Sequence, residues 1–290
     1  MLFFLLIIIL FVPSFLIAQV YEFEFDRISI ERGLSQSSIF TIIQDKKGFL
    51  WFGTQDGLNK FDGYNFKVFK HNPADSLSIS DNWITSLCED HLGNIWVGTS
   101  GGGLNKFDPI TEHFTHYKHQ NNDPMNQKYS RVQSVLEDSD RNLWVGTDGG
   151  GLSKLDRSTG KFINFIHDEN INTSINDNRI QSLLEDRNGN LWIGTYDGGL
   201  SLLKKDLKKQ AIFQRFTHLS NDRFSLSSNR ILSLFEDSNG KIWIGTDTGL
   251  NLYDQENNQF YRFKNNPKNE YSLSNNVIYT IFEDINHTLW

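Results

Sequence analysis

Residues 180–195, IQSLLEDRNGNLWIGT, carry the pattern that decides the fold. Ile180, Ser182 and Leu184 alternate onto one face as a strand requires, residues 186–189 have turn chemistry, and residues 191–195 resume the alternation. Within this hairpin Asp186 stands six positions before Trp192. The same step joins Asp45 to Trp51, Asp90 to Trp96, Asp138 to Trp144, Asp237 to Trp243 and Asp284 to Trp290. These tryptophans lie 45, 48, 48, 51 and 47 residues apart. A period of about 40 to 50 residues is the length of four short antiparallel strands with their turns, which is one blade of a β-propeller.

The predicted fold class is therefore all-β: a β-propeller of four-stranded antiparallel blades, with five complete repeats and a truncated sixth that reaches only the middle of its second strand at Trp290. In the fourth repeat the third strand is expected from Gly199-Leu200 and the fourth near Phe213–Phe216. Trp192 and Gly194 share a face, so a large ring beside a missing side chain can receive the neighbouring blade. One repeat departs from the pattern: Lys204 stands where Asp62, Asp108, Asp156 and Asp254 stand in the others, and a longer segment comes after it.

Composition excludes several function classes. With 290 residues, 38% hydrophobic and 13% aromatic, the chain can bury a large core. A formal charge of −7, without basic runs interleaved with aromatics, makes a phosphate backbone a poor partner, so no nucleic acid is expected. The single cysteine, Cys88, permits no internal disulfide and reads as a small core residue.

Residues 1–18, MLFFLLIIILFVPSFLIA, are apolar, broken by Pro13 and Ser14, and end on Ala18. They read as a secretory signal peptide, with an uncleaved membrane anchor as the rival; either one exports the rest of the chain. Residues 19–36 form a leading segment in which Tyr21 to Ile30 alternates like a strand that could close a ring. Residues 37–290 are then the propeller repeats, incomplete at the C-terminus.

Several motifs resolve into blade architecture. Asp186-x-Asn188-Gly189 resembles the start of a calcium loop but lacks the closing bidentate acid, so a hairpin turn explains it better. Gly101-Gly102-Gly103 and Gly149-Gly150-Gly151 come after a strand instead of opening a helix, as turn glycines do and phosphate cradles do not. His113, His116 and His119 form the one histidine cluster, but on a strand His116 points away from the other two and the three do not converge on a metal. No nucleophile elbow, zinc-binding helix or nucleotide loop is present, and the pairs Glu89-Asp90, Glu137-Asp138, Glu185-Asp186, Glu236-Asp237 and Glu283-Asp284 recur with the blades. No catalytic residue, metal or cofactor is expected from these patterns.

Two stretches carry a family resemblance. Residues 33–69, GLSQSSIFTIIQDKKGFLWFGTQDGLNKFDGYNFKVF, resemble the opening repeat of the two-component regulator propellers of exported sensors, especially hybrid histidine kinases of Bacteroidetes type. Residues 231–254, ILSLFEDSNGKIWIGTDTGLNLYD, resemble a later blade. The resemblance implies a dozen or more repeats in two propellers, then a β-sandwich, a membrane helix, a histidine kinase core and often output domains. On that reading the chain is the amino-terminal, periplasmic part of an inner-membrane sensor. Its partners would be a small-molecule or oligosaccharide ligand, the remaining blades and downstream domains, and a second copy in a homodimer.

Topology directs attention to one end of the ring. Connections from the fourth strand to the next first strand, and from second to third, share an end, and that is where residues vary: Trp83, Arg131, Arg179 and Arg230 enter first strands, while Asp148, Tyr196 and Asp247 come after second strands. These seven are the candidate ligand-binding residues, suited to a polar, anionic or sugar-like ligand. The arginines could equally pair with Asp148, Asp197 and Asp247. The leading function is an extracytoplasmic sensing module for a carbohydrate-derived ligand within a phosphorelay system. The alternatives are a secreted propeller lyase or glycosidase, which needs acid and base groups unique to one blade, and a protein-interaction scaffold. An open ring should also leave strand edges and a sheet face exposed, so the isolated chain is expected to aggregate or stay partly open.

Overall fold

Among the described residues, twenty strands succeed one another in five consecutive four-stranded antiparallel sheets. The computed structural model describes residues 27–117 and 127–290. Blade 1 contains β1 (Ile39–Gln44), β2 (Leu50–Thr54), β3 (Gly57–Phe61) and β4 (Phe66–Phe69). Blade 2 contains β5 (Ile84–Glu89), β6 (Ile95–Thr99), β7 (Leu104–Phe107) and β8 (Phe114–Tyr117). Blade 3 contains β9 (Val132–Glu137), β10 (Leu143–Thr147), β11 (Leu152–Asp156) and β12 (Lys161–Phe165). Blade 4 contains β13 (Ile180–Glu185), β14 (Leu191–Thr195), β15 (Leu200–Leu203) and β16 (Phe213–Phe216). Blade 5 contains β17 (Ile231–Glu236), β18 (Ile242–Thr246), β19 (Gly249–Asp254) and β20 (Gln259–Phe263). In every sheet the strands pair in chain order, as an up-and-down blade requires.

The proposed leader and residues 21–26 of the alternating segment lie outside the described residues. Residues 27–29 belong to no strand, and Ile30–Arg32 forms a short 3-10 turn closed by Gly33 at φ 106°. The departure in the fourth repeat is a 3-10 turn, Lys205–Leu207, inserted between β15 and β16.

The acidic-aromatic step has a direct physical cause. In all six rungs the tryptophan indole N–H donates to the aspartate Oδ2, at 2.8 to 2.9 Å. The other oxygen of Asp186 accepts the backbone N–H of Asn188 at 3.0 Å and of Asn190 at 2.9 Å, closing the turn. One carboxylate thus shapes the hairpin and satisfies the indole that the hairpin buries. Trp51, Trp96, Trp144 and Trp192 are no more than 2% exposed. Burying such a ring removes roughly 150–250 Å² from water, on the order of 4–6 kcal/mol at about 25 cal/mol/Å².

The core lies between blades. One apolar cluster joins Trp51 and Leu58 of blade 1 to Ile84, Ile95 and Phe107 of blade 2, and another joins Trp192 and Leu200 of blade 4 to Ile231 and Ile244 of blade 5. The small glycine opposite each tryptophan makes the approach possible: a Cβ on Gly194 would stand 2.4 Å from Ser182 Oγ and 2.6 Å from Ile231 Cγ2 of the next blade. The recurrent glutamates fasten the same junctions. Glu89, Glu137, Glu185, Glu236 and Glu283 each accept the backbone N–H just after the turn aspartate of the preceding blade, at 2.6 to 2.9 Å. In the first rung Gln44 replaces that glutamate and donates to Gly48 O in its own hairpin, at 3.2 Å.

Candidate functional site

The loops after each fourth strand, and the turns between second and third strands, gather at one end of the blades. Their framework is hydrogen-bonded to the sheets. Asn82, Asn178 and Asn229, one residue before Trp83, Arg179 and Arg230, accept the backbone N–H of His71, His167 and His218 at 2.6 to 2.7 Å. Nδ1 of the same three histidines meets the carbonyls of Ile79, Ile175 and Leu226 at 2.6 to 2.8 Å. These asparagines and histidines are loop staples, a role that the sequence patterns above do not assign to them. A signal is nevertheless there, as a separation of 11 residues between each histidine and its asparagine.

On this framework five of the seven candidates form a connected strip. Asp148 N donates to Arg131 O, and Tyr196 N to Arg179 O, both at 2.9 Å, which fixes each turn after a second strand against the strand entry of its own blade. Asp148 and Arg179 also form a backbone bridge between blades 3 and 4. The Arg131 side chain reaches Asp148 at 3.5 Å. Arg179 pairs with Asp197 and lies 3.5 Å from Asp177, and the hydrogen bond from Arg179 to Asp197 raises the already high pKa of the guanidinium. Its guanidinium carbon is 4.6 Å from the Tyr196 ring centroid, and that of Arg230 is 4.2 Å from the same ring. One aromatic ring thus holds two cations from successive blades.

Asp247 and Trp83 stand apart from the strip. Asp247 occupies in blade 5 the place of Asp148, but it does not pair with Arg230. Instead its Oδ1 and the Arg230 Nε are both buried without a hydrogen-bond partner among the described residues. Leaving two such buried atoms unpaired costs about 1–3 kcal/mol each. Trp83, 41% exposed, packs against Phe40 of blade 1 at 5.9 Å between centroids. The structure therefore brings the arginines to acidic neighbours in blades 3 and 4 and leaves the blade 5 arginine unmatched.

Of the histidine cluster, His116 is committed to the Ser78 carbonyl at 2.7 Å, His113 is exposed, and His119 lies outside the described residues. The His116 position is a loop clamp in other blades: Arg215 and Arg262 each direct Nε to the Ser174 and Ser225 carbonyls at 2.6 Å. Cys88 is half-buried, and burial pushes its thiol up to about 11, so it is poorly reactive.

The family model described as two component regulator propeller matches residues 33–56, 78–101, 126–149, 174–197 and 225–248, once in each blade. Over 63 residues, 22% of the chain, the sequence is 57% identical to histidine kinase P4 of Formosa agariphila, of which the match covers 5%. Among solved structures, a chain described as the extracellular domain of a putative hybrid two-component system of B. thetaiotaomicron is similar with a TM-score of 0.69 and 28% identity, over 91% of this chain and 40% of that one. A second such domain from the same organism has a TM-score of 0.59 at 23% identity, over 89% and 37% of the two chains, and bears on the fold alone. The chain thus spans less than half the length of these relatives.

Proposed function

As a two-component regulator propeller repeat protein, the chain is, we propose, the ligand-sensing part of an exported sensor histidine kinase, lying in the periplasm and passing its signal across the inner membrane. The observation that carries the sensor reading is the likeness, over 91% of the chain, to the extracellular domain of a hybrid two-component system. Among the described residues no helix is long and apolar enough to cross a membrane, so export rests on the apolar leader read from residues 1–18.

The ligand proposed is carbohydrate-derived, with hydroxyl and acidic groups. Support comes from the strip of Arg131, Arg179, Tyr196 and Arg230. An aromatic ring beside guanidiniums suits the apolar face and the anionic substituent of a sugar acid. Arg179 is already neutralised by Asp197, whereas Arg230 is not, so Arg230 should contribute more to anion binding. A thermal-shift screen of uronic-acid, sulfated and neutral oligosaccharides against the wild type, Arg179→Ala and Arg230→Ala tests this. A ligand that raises the melting temperature of the wild type should do so least for Arg230→Ala. Equal stabilisation of all three proteins would exclude the strip as the binding surface.

A further inference from the structure

At the end of the blades opposite Tyr196, a cation from the chain itself repeatedly closes the junction between neighbours. Between blades 2 and 3 it is Arg157, the first residue after β11, with Nη1 3.0 Å from Asp90 Oδ2 and Nη2 2.5 Å from Glu137 Oε1. Its guanidinium carbon also lies 5.4 Å from the Trp96 ring centroid. Between blades 3 and 4 it is Lys208, from the inserted segment after β15, with Nζ 2.9 Å from Asp138 Oδ2 and 3.1 Å from Glu185 Oε1. The geometry is the same although the two residues come from different positions in their turns: one positive head bridges the turn aspartate of one blade and the fastening glutamate of the next.

Between blades 4 and 5 the same two carboxylates, Asp186 and Glu236, are present without that head. Gln255, the first residue after β19, replaces Arg157, and Asp186 takes its side-chain hydrogen bonds from its own turn and from Trp192. Asp90 Oδ2 and Asp138 Oδ2 accept from an asparagine, a tryptophan and the cation, so Asp186 Oδ2, with asparagine and tryptophan donors only, has room for the third. Where the cation would stand there is a pocket of about 320 Å³, walled by Trp192 and Tyr253 and lined by Asp186, Glu236, Gln255 and Lys204. Glu236 is already paired, since Arg187 donates Nε to its Oε1 at 2.6 Å, and Lys204 lines the wall without an ion pair among the described residues.

We propose that this pocket is a second binding site, which takes a small organic cation of the guanidinium or primary ammonium class. Its head replaces those of Arg157 and Lys208 at Asp186 Oδ2, and its body lies along the Trp192 and Tyr253 rings. Because Arg187 already serves Glu236, Asp186 is the principal anchor. Such a ligand would fasten blade 4 to blade 5 as the internal cations fasten their junctions, and so would couple occupancy to the stiffness of that junction.

Titration calorimetry on the full chain, with n-butylguanidinium as probe and n-butylurea as its neutral counterpart, tests the proposal. The guanidinium compound should bind and raise the unfolding temperature, and the urea should bind roughly tenfold or more weakly. Gln255→Arg, which supplies the internal cation as Arg157 does, should abolish binding while leaving the protein at least as stable. Lys204→Gln, a conservative surface change, should tighten binding by removing a like charge. Arg179→Ala, at the other end, should leave it unchanged, so that loss of the proposed oligosaccharide site and loss of this one are separable. Equal affinity for the guanidinium and the urea overturns the proposal, as does a folded Gln255→Arg protein that still binds, or a Lys204→Gln protein that binds no better than the wild type.

Discussion

The turn aspartate shows how much one residue determines. Burial pushes the carboxyl of Asp138 up, but the Trp144 indole, Asn142 and Lys208 together outweigh it and hold it below the usual carboxylate range. Asp90 and Asp237 behave alike, with Arg157 and Lys241 as the respective cations. A folded pKa below the unfolded one gives stability that is complete above about pH 4 and is lost as pH falls through the folded value. Urea midpoints should therefore change little on account of these groups from pH 7 to about pH 5 and fall steeply below about pH 4. In Asp138→Ala the indole and Lys208 lose their shared acceptor, and the loss should be about 3–5 kcal/mol in urea denaturation. Asp284→Ala, beside a Trp290 that is 71% exposed, should cost less than about 1 kcal/mol. The aspartate-tryptophan step is legible in the sequence because its six-residue spacing is local. The loop asparagines leave a weaker signal, because Asn is common in every turn and the histidine partner stands 11 residues away.

Elements fit together through the absence of side chains as much as through their presence. Second strands carry a glycine two residues after the tryptophan, and at Gly53, Gly98, Gly146 and Gly194 the next blade's Ile84, Val132, Ile180 and Ile231 pack into the space, with Cγ atoms 2.5 to 2.8 Å from an added Cβ. Gly194→Ala should therefore destabilise by about 1–3 kcal/mol through overpacking, and Ile231→Val in the same chain should recover part of it only if Cγ2 can turn away. Thermal unfolding of the single and double variants checks this. The strand order, the hairpin turns and the limits of β16 agree with the sequence reading because alternation and turn chemistry are short-range signals. At the candidate site the same patterns select one end of the blades but cannot rank the residues there. Whether Arg131, Arg179 or Arg230 is paired depends on acidic groups up to 18 residues away in neighbouring loops.

For the whole molecule, the decisive feature is that blades stabilise one another along the chain. Where no neighbour among the described residues covers a first strand, apolar side chains stay in water: on β1 Ile39 is 37% and Ile42 55% exposed, whereas their equivalents on β5, Ile84 and Leu87, are 0% and 7% exposed. In the sixth rung Tyr279 is 78% and Phe282 59% exposed. Two apolar end faces of this kind favour head-to-tail association. Sedimentation velocity should show assembly that grows with concentration and is suppressed by Ile42→Lys, and a monomer at all concentrations would contradict it. The sequence by itself determined the repeat, the four-stranded blade and the residues that differ between blades, because a pattern recurring every 40 to 50 residues can be read without knowing what it touches. Only the tertiary structure decided how those differences are used. Arg157 and Lys208 fill junctions formed with the preceding blade, Gln255 leaves one open, and Arg179 and Arg230 meet at a single tyrosine ring. These relations cross from one blade to the next, where distance in space bears no fixed relation to distance along the chain.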